Sequence, residues 1–347
     1  MNTGRNKGQK LTESDPLVSI LMPFRNTEKY LKDCLDSILK QDYTNWELLA
    51  VNDHSTDSSE EIVKQYSKRD SRILLTNNSG EGIIPALRTA YAKCSGEYIS
   101  RMDSDDIMVP EKISTLLSGL RQAGRGHLAV GLVKYFSERG ISNGYARYEK
   151  WINSLTVTGT NFQEIYKECV IPSPCWMILR KDLDASGAFI SNRYPEDYDL
   201  TFRFYQQGLK CLPCTEILHL WRDYDTRTSR TSEHYAQNYF LDIKLHYFLK
   251  LDYNRKRPLA LWGAGSKGKT LAQGLIQQNI PFTWLCDNPR KIGKSIYGIT
   301  LKHYQNLAKM DSPQSIISVA NELAQEDIRR YLSTLGFDKS GDDFFFC

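Results

Sequence analysis

Tyr98-Ile99-Ser100-Arg101-Met102-Asp103-Ser104-Asp105-Asp106 decides the architecture: a short, mostly apolar run breaks off into a cluster of carboxylates. A run of this length bounded by polar residues reads as a buried strand. Toward the N-terminus the same kind of run recurs at residues 72–76, 46–51 and 17–22, the last ended by Pro23. Helical spacing fills the gaps. Tyr30, Leu31, Cys34, Leu35, Ile38 and Leu39 line one helix face. Asp57-Ser58-Ser59-Glu60 has capping-box spacing and opens a helix carrying Ile62, Val63 and Tyr66. A glycine turn at 80–82 precedes a helix over 83–93. Alternating strands and helices predict an α/β fold, a parallel sheet with helices on its faces. Ligands of such sheets bind at the carboxyl ends of the strands. Polar clusters fall at three of those ends: residues 23–26, 52–57 and 103–106.

Downstream the pattern changes. Residues 129–175 read as irregular and mixed, 173–179 as a strand, 195–205 as a helix with Gly208 near its end, and 236–249 as a strongly apolar helix. The polar run 252–258 is the best linker, and a second α/β pattern follows it, with strands at 259–262, 282–286 and 315–319 and helices at 269–277 and 325–335. The expected organisation is a polar tail (1–15), a first α/β domain (16–235), a connecting helix and linker (236–257) and a small Rossmann-like α/β module (258–347).

Composition narrows the function. No apolar run approaches the ~18 residues of a membrane span, so at most peripheral membrane association is expected. The net charge of +4 is too small to argue for nucleic acid. The excess sits in residues 255–347, with thirteen Lys/Arg against eight Asp/Glu; a solvated basic face explains it as well as an anionic partner does. The eight cysteines are scattered, and the single CxxC (Cys211 to Cys214) lacks a second pair or a nearby His. A reducing, cytoplasmic setting is expected.

Asp103 and Asp105 are spaced to share a divalent cation, because magnesium-type ions take one or two carboxylates plus phosphate oxygens. The plainer alternative is an acidic turn before the helix that Pro110 begins. Glu196-Asp197 opens a helix, where a carboxylate complements the dipole and, kept ionised there, suits a general base. Asp53 stands where a ligand would enter and can accept a hydrogen bond from a base N–H; His54 is read as structural.

Five segments in register resemble glycosyltransferase family 2 with its GT-A fold: Val18-Ser19-Ile20-Leu21-Met22-Pro23-Phe24-Arg25-Asn26, Val51-Asn52-Asp53-His54-Ser55-Thr56-Asp57, Gly96-Glu97-Tyr98-Ile99, Met102-Asp103-Ser104-Asp105-Asp106 and Pro195-Glu196-Asp197-Tyr198-Asp199-Leu200. The resemblance covers roughly residues 16 to 250. It implies a nucleotide pocket lined by Pro23, Phe24, Asn26 and Asp53, with a uracil base on Asp53. It implies Asp103 and Asp105 at the ribose, diphosphate and metal (Mn2+ or Mg2+), with Asp105 the direct ligand. It implies Asp197 as the base that deprotonates the acceptor hydroxyl, with Glu196 orienting it, and inversion at the anomeric carbon. The partners so implied are a nucleotide-sugar donor, UDP-linked, and a saccharide or lipid-linked saccharide acceptor in bacterial surface-glycan assembly; a homo-oligomer stays open.

Two departures from the family pattern matter. Arg88 stands where many members have Asn, and a base or phosphate contact is expected of it. Tyr224 replaces a His that supplies a further metal ligand, with His219 a weak substitute. Arg222, Arg227 and Arg230 can clamp diphosphate through charge-assisted forks, or form a solvated basic loop. Trp151, Trp176 and Trp221 serve either as core or as sugar-stacking rings. No Gln-x-x-Arg-Trp motif follows, which favours single sugar addition over processive synthesis. Finally, Gly263-Ala264-Gly265-Ser266-Lys267-Gly268 sits between a strand and a helix, with Asp287 24 residues after Gly263. That context matches a dinucleotide fingerprint, so Gly263, Gly265 and Gly268 are candidate phosphate-cradling positions. A scaffolding module is the alternative, and an oxidoreductase or nucleotide-sensing module centred on this loop is the rival function.

Overall fold

The computed structural model describes residues 15–227, 240–336 and 341–347. The first domain runs β1 (Val18–Phe24), α1 (Glu28–Leu39), β2 (Trp46–Asn52), α2 (Ser59–Arg69), β3 (Ile73–Asn77), α3 (Ile83–Lys93) and β4 (Tyr98–Arg101). It continues with β5 (Ile107–Met108), α4 (Lys112–Ala123), β6 (His127–Phe136), α5 (Asn143–Thr158), β7 (Trp176–Leu179), α6 (Arg180–Ala185), α7 (Glu196–Gln206) and β8 (Lys210–Arg222). Strands β3, β2, β1 and β4 are parallel neighbours in that order. Helices cover both faces of such a sheet, so its strands are apolar almost throughout: Val18, Ile20, Leu21 and Met22 are wholly buried. Gly96, just before β4, lies against β1 so closely that a Cβ would sit 2.6 Å from the Ser19 nitrogen. Only glycine allows that approach.

Beyond β4 the sheet continues β7-β6-β8-β5. β7 is antiparallel to both β4 and β6, and β5 is antiparallel to β8. The sheet is therefore mixed, with four of its seven strand pairings parallel. The expectation of an irregular 129–175 also fails, since β6 and α5 are regular. β8 was not read from the sequence at all. Its outer half is exposed at Glu216 and Ile217, it contains Pro213, and its register with β6 slips on either side of Leu132, so no period-2 pattern survives.

The C-terminal module holds a five-stranded parallel sheet ordered Lys302–His303, Thr283–Cys286, Leu259–Trp262, Gln314–Ile317, Asp343–Phe345. Helices Ser266–Gln277 and Glu322–Thr334 accompany it. The connecting helix spans Leu241–Tyr247 and widens into a π turn over Phe248–Asp252; residues 236–239 of the expected helix, and part of the tail, lie outside the described residues. The linker does not isolate the module, although Ala260, Trp262, Leu285 and Ile317 belong to a cluster of its own. One buried cluster contains Leu21, Ile99 and Phe202 together with Leu261, Trp284 and Phe346. Tyr166 stacks on Phe346 with ring centroids 5.3 Å apart and planes within 4°. The buried Lys244 donates through Nζ to the Lys167 carbonyl (2.8 Å).

Candidate active site

The carboxyl ends of β1, β2 and β4 open into a cavity of ≈ 1340 Å³. Pro23, Phe24, Asn26, Asp53 and Asp57 line one part of it. Asn26 takes a left-handed conformation (φ 52°) that lets its Oδ1 accept from the Thr56 amide at 2.8 Å, closing the β1 and β2 loops onto each other. Asp53 is buried. Its Oδ1 accepts from Asn78 Nδ2 (2.7 Å) and the Gly82 amide (3.0 Å), and Arg25 approaches its Oδ2 at 3.7 Å. His54 hydrogen-bonds the Gly80 carbonyl at 2.7 Å, in keeping with a structural role.

The three aspartates after β4 do different things. Asp106 is wholly buried and outside the cavity lining. Its Oδ1 accepts the Arg222 amide (2.8 Å) and its Oδ2 faces His219 Nε2 (2.9 Å), which fastens the loop to β8. Asp105 reaches the cavity and accepts the Tyr224 hydroxyl at 2.8 Å. Burial and the neighbouring Asp106 push its carboxyl up to about 7. Asp103, also in the lining, lies 3.3 Å from Arg101 Nη2.

Arg101 joins the two acidic motifs. Its other terminal nitrogen, Nη1, is 3.0 Å from Glu196 Oε1 at the start of α7. Burial opposes its charge, yet Asp103, Glu196 and Asp197 hold the guanidinium above its ordinary value. Asp197 lines the same cavity as Asp103 and Asp105. Its Oδ1 accepts the Tyr198 amide at 2.8 Å, while burial and the adjacent Glu196 push it up to about 7. A carboxylate tuned to that range gains and loses a proton near neutrality, as a general base must. Sequence reasoning passed over Arg101, although a cation inside the apolar 98–102 run, two positions before Asp103, was a legible signal.

Several expectations are corrected. Arg88 does not face the cavity: its guanidinium donates to the carbonyls of Phe189 (2.6 Å), Ile190 (2.8 Å) and Ser191 (2.9 Å) and to Asn192 Oδ1 (2.6 Å). An Arg fork is too long and too well matched to four clustered oxygens to mimic an Asn. Arg222 is likewise spent on structure, donating to the Asp105 carbonyl (2.8 Å) and Asp33 (2.9 Å) with its plane over Tyr30 and Phe136. His219 cannot ligate a metal in the cavity. It is fully buried between Asp106 and Lys112, and burial holds its pKa well below the usual value. Arg227 does line the cavity, packed near Trp221 and Tyr135, with Asp106 and Asp105 raising its pKa against burial. Arg230 lies outside the described residues. Of the three tryptophans, Trp176 is core, Trp151 packs half-buried between two clusters, and Trp221 lines the cavity. The CxxC thiols are pushed up to about 12 by burial, which keeps them protonated.

Packing accounts for two of the three glycines of the C-terminal loop. A Cβ on Gly268 would lie 2.1 Å from the Gly263 carbonyl oxygen, and Gly263 itself has φ +114° with the Ser318 hydroxyl against it. Gly265 has open space around it. Lys291 donates to the Ala264 carbonyl at 2.7 Å.

The acidic residues after β4 and those opening α7 line one cavity, on a sheet whose fold is that of GT-A-type glycosyltransferase domains. Residues 19–187 match the family model "Glycosyl transferase family 2", and this domain belongs to that family. Over 218 residues the chain is 34% identical to glycosyltransferase GlyA of Streptococcus pneumoniae, covering 60% of this chain and 31% of that protein. Over 105 residues it is 44% identical to the Escherichia coli UDP-Glc:alpha-D-GlcNAc-diphosphoundecaprenol beta-1,3-glucosyltransferase WfgD, covering 30% of this chain and 41% of that protein. The fold is similar to S. aureus TarS 1-349, crystallised in complex with UDP-GlcNAc, at a TM-score of 0.53 and 20% identity over 75% of this chain and 72% of that one. The match to GlyA thus spans about a third of that relative's length. Among the described residues no helix is long and apolar enough to cross a membrane.

Proposed function

We propose that the protein transfers a single sugar from a nucleotide-diphosphate donor, UDP-linked, to a saccharide hydroxyl in bacterial surface-glycan assembly, with inversion at the anomeric carbon. The observation that carries this reading is the convergence of Asp103, Asp105, Glu196 and Asp197 on one cavity, with Arg101 bridging the pairs. The nucleoside fits the Pro23, Phe24, Asn26 and Asp53 end, where Asp53 is already fixed by Asn78 and Gly82. Asp197 takes the proton of the acceptor hydroxyl. The acceptor oxygen then forms a bond to the anomeric carbon as the bond to the donor phosphate breaks. Glu196, held by Arg101, orients α7 and raises the basicity of Asp197. Arg227 offers a cation to the departing diphosphate.

A divalent metal fits this site on one condition. Among the described residues no three acidic, His or Cys groups are arranged to hold an ion, so those residues offer it Asp105 and Asp103. Ions of the magnesium class accept such a minority share when phosphate oxygens and water complete the shell. Burial, and after it the neighbouring Asp106, raises Asp105, and a cation beside it would offset both. When bound, the metal neutralises charge growing on the leaving diphosphate.

Thermal shift with Mn2+ and UDP, together with Mn2+-stimulated hydrolysis of UDP-hexoses, tests the reading. Metal and nucleotide together should raise Tm, more at pH 8 than at pH 6, because Asp105 must shed its proton to ligate. Asp105→Asn should lose the metal dependence. Binding of no UDP sugar, or binding indifferent to both metal and Asp105, overturns it.

A further inference from the structure

The cavity is larger than the roughly 300–1,000 Å³ of an ordinary small-molecule site, and its far end differs chemically from the nucleotide end. β1 and β6 are separated by β4 and β7, three strand spacings or about 14 Å. The wall there, from β6, α5 and β8, is aromatic. Tyr135 and Trp221 stack with centroids 5.1 Å apart and planes 11° off parallel. Tyr145 leans on Tyr135 (5.0 Å) and Tyr148 on Trp221 (6.3 Å). Tyr148 donates to the Cys169 carbonyl at 2.9 Å, which fixes α5 against the loop carrying Glu168 and Ser173. All six side chains line the cavity.

Two polar groups in this wall have no hydrogen-bond partner among the described residues: Trp221 Nε1 and Ser173 Oγ, on residues only 7% and 8% exposed. Buried donors of this kind are nearly always satisfied, and a tryptophan N–H usually finds a partner. Stacked rings with unspent polar atoms suit a pyranose, whose C–H face lies on π surface while its hydroxyls reach polar groups. Glu168 and Arg227, the latter 5.4 Å from the Trp221 ring centroid, put one charge of each sign beside this wall, so it offers a sugar acid no net attraction.

We propose that this aromatic wall is the acceptor subsite and takes an uncharged pyranose, beside Asp197. The inference rests on the glycosyltransferase reading for calling that pyranose the acceptor, but its test does not. The test is saturation-transfer NMR on the full chain with UDP and Mn2+, using the methyl glycosides of glucose, galactose, mannose, N-acetylglucosamine and glucuronic acid as probes. At least one neutral glycoside should show ring C–H saturation, and the glucuronide should show the least. Tyr145→Ala, which removes a half-exposed ring, and Trp221→Phe, which keeps the ring and removes the N–H, should each weaken the binding glycoside roughly tenfold, a single polar or stacking contact. The UDP affinity of both should stay within about twofold of the parent. No glycoside binding, unchanged binding in both variants, or preference for the glucuronide overturns the subsite. Absence of UDP binding in the parent chain would instead overturn the function proposed above, and the glycoside signals would still decide the subsite.

Discussion

Asp197 is the side chain on which the chemistry turns, and its environment makes a signed prediction. Burial and Glu196 raise its pKa to about 7, so kcat/KM should rise about tenfold per pH unit below 7 and level off above it. Asp197→Asn should lower transfer by about 10²–10⁴ and abolish that limb. The same shift acts on folding in the opposite direction. The folded state binds this proton more tightly than the unfolded chain, so the stability Asp197 contributes is complete below pH ~4 and is lost as pH rises through about 7. The Asn variant keeps an oxygen for the Tyr198 amide and sheds that penalty. It should melt no lower than the parent at pH 8 while being inactive, measured by thermal unfolding beside turnover. A variant that is both inactive and markedly less stable at pH 8 would assign Asp197 to structure.

The elements that present these groups were legible to different degrees, for physical reasons. β1, β2 and β4 are buried on both faces, so their apolar runs announce themselves, and the polar residues that end them are the site. β8 is half-exposed and slips register, so its 13 residues carry no pattern; yet it holds Trp221, Arg222 and His219. Arg88 on α3 shows a subtler limit. Its position beside the nucleotide motifs suggested a phosphate contact, whereas its fork gathers the carbonyls of the 189–192 segment that leads to Pro195 and α7. Sequence cannot tell a solvent-facing helix position from one under a loop a hundred residues away. Arg88→Ala should therefore leave UDP affinity unchanged, since no nucleotide contact is removed, and reduce kcat by loosening the approach to Asp197. It should also reduce stability by about 1–3 kcal/mol as the carbonyls lose charged donors. Arg88→Lys should recover only part, because an ammonium cannot match a planar fork. Calorimetric UDP titration separates the readings: roughly tenfold weaker nucleotide binding in Arg88→Ala would restore the phosphate contact.

Across the molecule, the Rossmann-like sheet acts as a buttress to the transferase domain. Tyr166 meets Phe346 face to face and Phe344 edge-on, and its hydroxyl donates to Asp252 in the connecting turn. Tyr205 of α7 donates to the other oxygen of Asp252 at 2.9 Å, and Tyr247 donates to the buried Asp199 at 2.7 Å. The helix that carries the proposed base is thus pinned from behind by the connecting segment. Tyr166 and Lys167 run directly into Glu168 and Cys169 of the cavity wall. A chain with two separable cores would unfold in two steps; one whose core is continuous has no such seam. Tyr166→Ala should lower stability by about 3–5 kcal/mol, as large aromatic truncations in a core do. Native-state hydrogen exchange resolved by peptide should then show Leu259–Trp262 and Glu196–Gln206 losing protection together. Transfer activity should fall as well, although the nearest altered atom belongs to the interface and not to the cavity. Protection lost from the C-terminal strands alone, with α7 and turnover untouched, would mean that the module is an appendage and that the glycines of its loop must be explained by some task of their own.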